Sequence, residues 1–328
     1  MTPIEFRLLN DFQRLFPLVA QPYAVLAEAL GTDEATVINA LEGLRSAGAL
    51  SRIGAVFRPG ALAASTLAAM EVPAARLEAV AAVVSAFPGV NHNYEREHRL
   101  NLWFVATAAD DGALDAMLAH ITKLTGISVL KLPLREEYHI DLGFSLDGGD
   151  APRARGVTQP RRVALDATER RLVAALEDGL ALESRPYAAL GAQAGLGEQA
   201  AIDRLARWQS EGLIRRFGVV VRHHELGWRA NAMAVWDVPD AVVAQFGSTL
   251  AGAEGVTLAY ARARGLPEWP YNLYCMIHGT ERRQVAARIE ALNRELGLEV
   301  FPHAVLFSRT RFKQTGPRFS STPEVIHG

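Results

Sequence analysis

Pro22-Tyr23-Ala24-Val25-Leu26-Ala27-Glu28-Ala29-Leu30-Gly31 returns farther along the chain as Pro186-Tyr187-Ala188-Ala189-Leu190-Gly191-Ala192-Gln193-Ala194-Gly195. Both stretches read as short helices closed by a glycine, and the likeness continues outward from them. Upstream, Leu8, Leu9, Phe12 and Leu15 in one copy, and Leu172, Val173 and Leu176 in the other, follow the three-to-four spacing of an amphipathic helix. Downstream, Leu41 aligns with Leu205, Gly48 with Gly212, Arg52-Ile53-Gly54 with Arg216-Phe217-Gly218, and Val72-Pro73 with Val238-Pro239. A match of this length exceeds any solenoid repeat. It marks a duplicated and fused domain pair, so the chain carries its own pseudo-dimer. Unlike a homodimer, a fused pair can specialise its two copies separately.

In each copy a third helix follows, with Val37, Ile38, Leu41 and Leu44, or Ile202, Leu205 and Trp208, on its apolar face. It ends at Gly48 or Gly212, where a C-terminal glycine is expected. The β-rich segments 52–57 and 216–221 then complete a winged helix-turn-helix. After each wing the pattern reads strand, helix, strand, strand, helix, strand. The first copy places these near 65–72, 74–86, 90–96, 100–107, 111–124 and 127–134, and the second near 229–238, 240–252, 256–262, 271–278, 280–295 and 298–307. That βαββαβ order is ferredoxin-like. The expected class is α+β, a tandem duplication of a winged helix-turn-helix plus a ferredoxin-like domain. The expected boundaries are 1–60 and 61–146 for the first copy, and 163–225 and 226–319 for the second. Residues 147–162, rich in Gly, Pro and Arg without apolar period, read as a linker, and 320–328 as a flexible tail.

Composition narrows the function classes. A chain of 328 residues that is 49% apolar can bury several cores, and its net charge of −2 provides no global attraction to nucleic acid or anionic lipid. The single cysteine, Cys275, cannot form an internal disulfide, which fits a reducing compartment. The N-terminal stretch mixes both charges into a helical pattern and is not read as a signal peptide. No uncharged apolar run reaches bilayer length. A cytoplasmic location without membrane contact is expected.

The helix-turn-helix raises DNA binding, yet its third helices argue against it. They open with Thr32-Asp33-Glu34 and Gly197-Glu198-Gln199, whose carboxylates suit the helix dipole but repel phosphate. Packing and assembly explain these helices better.

The copies part company where their strands end. FPGVNHNYEREHRLNLWF at 87–104 aligns with AEGVTLAYARARGLPEWPYNLYC at 253–275, which pairs Tyr94 with Tyr260 and Arg96 with Arg262. Opposite His92 the second copy has Leu258, and it inserts Gly265-Leu266-Pro267-Glu268-Trp269-Pro270. Farther on, Tyr138-His139 falls on Phe312-Lys313, and Arg58-Pro59-Gly60 on Arg222-His223-His224. His92, Tyr94 and Arg96 alternate along one strand and so share a sheet face. Arg262, Arg264, Arg309, Arg311 and Arg318 could converge into an anion-binding pocket, with Trp269, Tyr271 and Tyr274 as an aromatic wall. His98, His120, His278, His303 and His327 read as ordinary structural histidines. His223-His224 is too short a signal for a zinc site, although one axial histidine to a tetrapyrrole iron stays open. Dinucleotide, P-loop and serine-elbow motifs are absent from the sequence.

The element order resembles the Lrp/AsnC family of amino-acid-responsive regulators. The segments HNYERE at 92–97, LNLWF at 100–104, REEYHIDLGF at 135–144, RRFGVVVRHHELGW at 215–228, GLPEWPYNLYCMIHG at 265–279 and FKQTGPRF at 312–319 sharpen this. They are similar to siroheme decarboxylases, a branch that normally pairs two related subunits, and the resemblance spans residues 1–319. It implies non-oxidative removal of two acetate carboxyls from siroheme, giving 12,18-didecarboxysiroheme for heme d1 or the alternative heme route. Siroheme carries eight carboxylates, so its pocket needs cations and apolar walls. On this resemblance His92 and His139 are the expected acid/base pair, supported by Tyr94, Arg96 and Tyr138. Arg262, Arg264, Arg309, Arg311 and Lys313 would bind carboxylates, and Trp269 and Tyr271 would line the macrocycle. His223 or His224 would contact the iron or a propionate. No cofactor beyond the substrate is expected, since the iron belongs to siroheme. The expected partners are siroheme and its mono- and didecarboxylated products, with the internal pseudo-dimer able to form a homo-oligomer. The alternatives are an Lrp/AsnC-like regulator and a non-catalytic tetrapyrrole carrier or sensor.

Overall fold

A computed structural model describes residues 1–140, 143 and 162–319, except for the side chains of Ile140, His223 and His224. The expected linker, apart from Arg162, and the expected tail lie outside these residues. The first copy comprises α1 (Pro3–Asp11), α2 (Pro22–Leu30), α3 (Glu34–Ser46), β1 (Leu50–Phe57), β2 (Ala64–Met70), α4 (Leu77–Ala86), β3 (Val90–Arg96), β4 (Leu102–Ala108), α5 (Asp111–Thr125) and β5 (Leu130–Ile140). The second comprises α6 (Ala167–Leu176), α7 (Pro186–Ala194), α8 (Glu198–Ser210), β6 (Ile214–Val221), β7 (Ala230–Trp236), α9 (Val243–Gly252), β8 (Val256–Arg262), β9 (Leu273–Gly279), α10 (Arg282–Leu296) and β10 (His303–Gln314). These elements divide into two compact units that pair like with like. One holds both helix-turn-helix segments and the other both ferredoxin-like segments.

In the first unit the helices start where local chemistry satisfies their open N–H groups. Thr2 with Glu5, and Asp166 with Glu169, form reciprocal capping boxes at α1 and α6. Asp33 caps α3 by accepting from the Thr36 amide at 2.8 Å, and Glu34 accepts from the Ser184 hydroxyl of the second copy at 3.0 Å. The wings differ from expectation. Each copy supplies one strand, and β1 pairs antiparallel with β6, with Gly54 opposite Gly218. A lone strand would leave its ladder unpaired, and the sister strand satisfies it. The tyrosines of the opening motif lock this pairing: Tyr23 donates to the Ala181 carbonyl and Tyr187 to the Pro17 carbonyl, both at 2.8 Å.

In the second unit eight strands close a barrel in the order β10-β3-β4-β2-β5-β8-β9-β7. Each copy contributes four strands in ferredoxin-like order, and each final strand runs past the expected ends at 134 and 307. The first part of β5, through Pro133, pairs with β2, while Leu134 to Ile140 pair with β8 of the other copy. Strand β10 behaves alike, pairing first with β7 and then, from Ser308 to Gln314, with β3. The segments REEYHI and RTRFKQ are therefore exchanged strand halves, and exchange removes the open edges that each four-stranded sheet would otherwise expose. Helices cover the outer faces over two apolar cores, and a third core of Leu67, Trp103, Leu132, Met233, Tyr260, Trp269, Tyr274 and Leu306 fills the inner face.

Candidate functional site in the barrel interior

Exchange builds two related niches. In the first, His92 and Tyr94 on β3 face inward beside Val105 and Trp103 of β4, and β10 lies on the other side with Arg311 opposite Tyr94 and Gln314 opposite His92. In the second, Leu258, Tyr260 and Arg262 take the β3 positions, and β5 brings Glu137 opposite Tyr260 and His139 opposite Ala259. His92 and His139 thus stand on strands separated by β4 and β2, and beyond a register shift after Glu137 His139 lies opposite Ala259, a member of the helix-side core, so the inward-facing histidine of the pair is His92. His139 is buried, and the His92 Nδ1 lies 3.5 Å from the Tyr94 hydroxyl.

Two arginines hold the places where the final strands cross between sheets. Arg96 donates to the Leu306 carbonyl at 3.2 Å, and Arg262 to the Leu132 carbonyl at 2.9 Å. Each guanidinium also lies over the tyrosine two residues before it, at 5.8 Å for Arg96 and Tyr94 and 4.7 Å for Arg262 and Tyr260. Arg96 is buried, and its other near contact is the Met276 sulfur at 4.0 Å. Among the described residues neither arginine has a carboxylate partner. A buried cation balanced only by carbonyls, sulfur and ring faces is poorly compensated, and an anionic ligand would relieve it.

Other expected site residues are used differently. Arg264 is tied to Asp237 and Asp240, and Arg309 is exposed beside Glu95 and Glu97, so nearby carboxylates already balance both charges. Lys313 donates to the Ser85 and Phe87 carbonyls at 2.8 and 3.1 Å, neutralising the C-terminal end of α4, and burial lowers its pKa. Tyr138 faces the helices instead of the interior. Its ring fills the place of a side chain at Gly247, where a Cβ would come within 2.0 Å of it, and its hydroxyl donates to Glu136 at 2.8 Å. Trp269 is fully buried and wedged against Trp103 and Tyr271, with ring centroids 4.9 and 4.8 Å away, and its indole N–H donates to the Tyr274 hydroxyl at 2.7 Å. The inserted loop plugs the inner core, and Tyr271 is only part-buried beside it. Arg311 donates to Gln314 at 3.1 Å and is near enough to Tyr94 to pull its pKa down against a larger rise from burial. The His223 and His224 side chains lie outside the described ones; their backbone forms a single 3-10 turn. Among the described residues no cluster of three or more His, Cys, Asp or Glu side chains could hold a metal ion, and no helix is long and apolar enough to cross a membrane.

Burial pushes the pKa of His92 down to about 4, and that of His278 to about 4 with a smaller contribution from Arg96. Both rings are therefore neutral near pH 7, and the unfolded chain, with histidines near 6.5, binds protons before the folded one does. Their contribution to stability is complete above about pH 6.5 and is lost as pH falls toward 4, at most about 3 kcal/mol each. The thermal midpoint is expected to drop over this window, and to drop less in His92→Gln. A midpoint equally pH-sensitive in that variant would rule out His92 as a source.

Comparisons with known proteins bear on this geometry. A family model for the siroheme decarboxylase NirDL-like HTH domain matches residues 5–50 and 169–215, and one for the AsnC-like ligand binding domain matches 62–139 and 225–313. The siroheme decarboxylase NirDL subunit of Paracoccus denitrificans is 46% identical over 96% of this chain and 97% of its own length. The chain belongs to the siroheme decarboxylases. The NirD subunit of Stutzerimonas stutzeri is 53% identical, covering 43% of this chain and 92% of that shorter protein, so a single copy corresponds to a separate subunit there. A crystal structure of siroheme decarboxylase NirDL in co-complex with an iron-uroporphyrin III analogue superposes with a TM-score of 0.69 at 27% identity, covering 97% of this chain and 94% of that one. The duplicated winged-helix and ferredoxin-like architecture is the architecture of this family.

His278, read from the sequence as an ordinary structural histidine, faces the inner core. It sits on β9 in alternation with Tyr274 and Met276, both members of the inner core, and that alternation within YCMIH was the available signal.

Proposed function

We propose that the niches at Arg96 and Arg262, beside the packed inner core, hold siroheme and that the chain, as a carboxy-lyase, removes two acetate carboxyls from it, giving 12,18-didecarboxysiroheme for heme d1 synthesis. The observation that carries the site assignment is the pair of guanidiniums, Arg96 and Arg262, set inside an aromatic-lined barrel without carboxylate partners among the described residues. A macrocycle bearing eight carboxylates supplies the missing charge. Arg96, Arg262 and Arg311 would bind its carboxylates, while Tyr94, Tyr260 and the apolar wall accommodate the ring.

The chemistry then starts from His92, which faces the first niche. When the bond between the acetate methylene and its carboxylate breaks, carbon dioxide leaves and the electron pair passes into the conjugated ring system. An imidazolium proton is delivered to the methylene, which becomes a methyl group. Each event releases one carbon dioxide and consumes one proton. In the free protein burial keeps His92 neutral, but a substrate carboxylate beside the ring favours the charged form and loads the proton. His92 and His139 would serve different arms, since two strands separate them. No cofactor beyond siroheme takes part, and its iron is part of the substrate. The fused chain supplies both copies that the single-copy relatives carry separately.

The test is anaerobic incubation of the purified chain with siroheme, followed by mass analysis of the pigment. Two successive losses of one carbon dioxide each are expected. An unchanged pigment with an altered absorption spectrum would leave only a carrier.

A further inference from the structure

His278 belongs to a polar row that crosses the inner face of the second copy's sheet and reaches into the first copy. Arg96 on β3 lies opposite Ser308 on β10, and Asn231 on β7 opposite His278 on β9. The Ser308 hydroxyl donates to the Asn231 side-chain oxygen at 2.5 Å. Thr257 on β8 closes the row. Its Oγ1 donates to the Met276 carbonyl at 2.9 Å and lies 2.7 Å from the His278 Nδ1. The short contact ties the His278 ring to Thr257, with the direction of the hydrogen bond set by the tautomer of the ring.

The corresponding row in the first copy cannot titrate. Its members are Asn91, Thr107 and Ser65, with Asn91 donating to Thr107 at 3.3 Å and Thr107 to Ser65 at 3.4 Å. The duplication has thus placed an ionisable ring in only one of two equivalent rows, beside a buried guanidinium. Of the charged groups at the strand ends nearby, Glu97 is bound by Arg282 and Arg309, and Glu95 by Thr310 and Arg309, while Arg282 covers the Phe307 ring. The field of Arg96 reaches His278.

We propose that Arg96, His278, Asn231 and Ser308 form a carboxylate subsite of the barrel, in which binding of a substrate carboxylate loads a proton onto the His278 ring. This rests on siroheme being the substrate. The arriving anion offsets the repulsion from Arg96 and favours the charged imidazolium, so binding and proton uptake are coupled. The proton comes from solvent and no covalent bond changes.

The test measures anaerobic siroheme binding by calorimetry in buffers of different ionisation enthalpy, at about pH 6 and about pH 8, a range that spans the ordinary histidine titration. Wild type is compared with His278→Asn, with His278→Gln as a second variant that keeps a donor toward Thr257, and with Thr107→Val as a control in the other row. Near pH 8, wild type is expected to take up about one more proton on binding than either His278 variant. Both variants should show KM raised about tenfold with kcat within about twofold, as for loss of a binding contact. Thr107→Val should keep the wild-type proton count. Equal proton uptake and affinity in wild type and a folded His278 variant would overturn the subsite. A wild type that binds siroheme with the extra proton but releases no carbon dioxide would support the subsite while overturning the decarboxylase reading.

Discussion

His92→Ala is expected to lower kcat by roughly a hundredfold to ten-thousandfold, the usual contribution of a positioned general acid, while KM changes by less than about threefold. The asymmetry between the two constants follows from position. His92 is uncharged in the free protein and offers little to a bound carboxylate, whereas Arg96 and Arg311 carry the permanent charge of its niche. Removing the ring therefore removes the proton source and leaves most of the anion binding. Imidazole added to His92→Ala should restore part of the rate, because the deleted side chain leaves a space of its own size. The mass spectrum provides a second readout. If His139 serves the other arm, His92→Ala should accumulate a pigment that has lost one carbon dioxide. Near-normal rates, or equal slowing of both losses, would remove His92 from this role.

The pH dependence should separate free and bound states. The profile of kcat/KM reports the free protein, and that of kcat the complex. A carboxylate beside His92 raises its pKa above the value of about 4 found in the free protein. The histidine limb of kcat should accordingly lie at higher pH than that of kcat/KM.

Much of the fold was legible because duplication provides an internal control. Positions that agree in both copies, such as Tyr23 with Tyr187 and Leu41 with Leu205, proved to be buried scaffold. Helix and strand positions inside each ferredoxin-like segment followed from local periodicity. The ends of β5 and β10 did not, because their outer halves gain partners only from the other copy, and no local pattern announces a pairing across so great a separation. The same non-local pairing explains the mixed fate of the expected site. His92, Tyr94 and Arg96 sit on one strand whose alternation the sequence reveals, and they face the interior together. Arg264, Lys313 and Tyr138 have suitable chemistry, but the carboxylates, helix end and glycine that occupy them come from distant segments. His278 reads as a structural histidine because its alternation with Tyr274 and Met276 marks only an inward face, and the charge beside it, Arg96, comes from the other copy through strand exchange.

Trp269→Ala is expected to cost about 3–5 kcal/mol, the range for truncating a large buried aromatic. The inserted loop is held by reciprocal main-chain hydrogen bonds between Gly265 and Trp269, both 2.9 Å, and Gly265 fits because a Cβ there would come within 2.5 Å of Leu130. The loop therefore has little freedom to collapse into the space left by the indole. Trp103, Tyr271 and His98 would lose a packing partner, and the Tyr274 hydroxyl its donor. Trp269→Phe should separate these effects. It retains much of the filling but not the N–H, and should cost about 1–3 kcal/mol for the buried hydroxyl left without its donor. Urea unfolding followed by far-ultraviolet circular dichroism measures both. Because Tyr274 stacks on Tyr260 at 5.4 Å, and Tyr260 carries Arg262 over its face, loosening the plug should also weaken siroheme binding in the second niche. An unchanged urea midpoint in Trp269→Ala would mean that the loop does not brace the barrel, and the link from the insertion to Arg262 would fall with it.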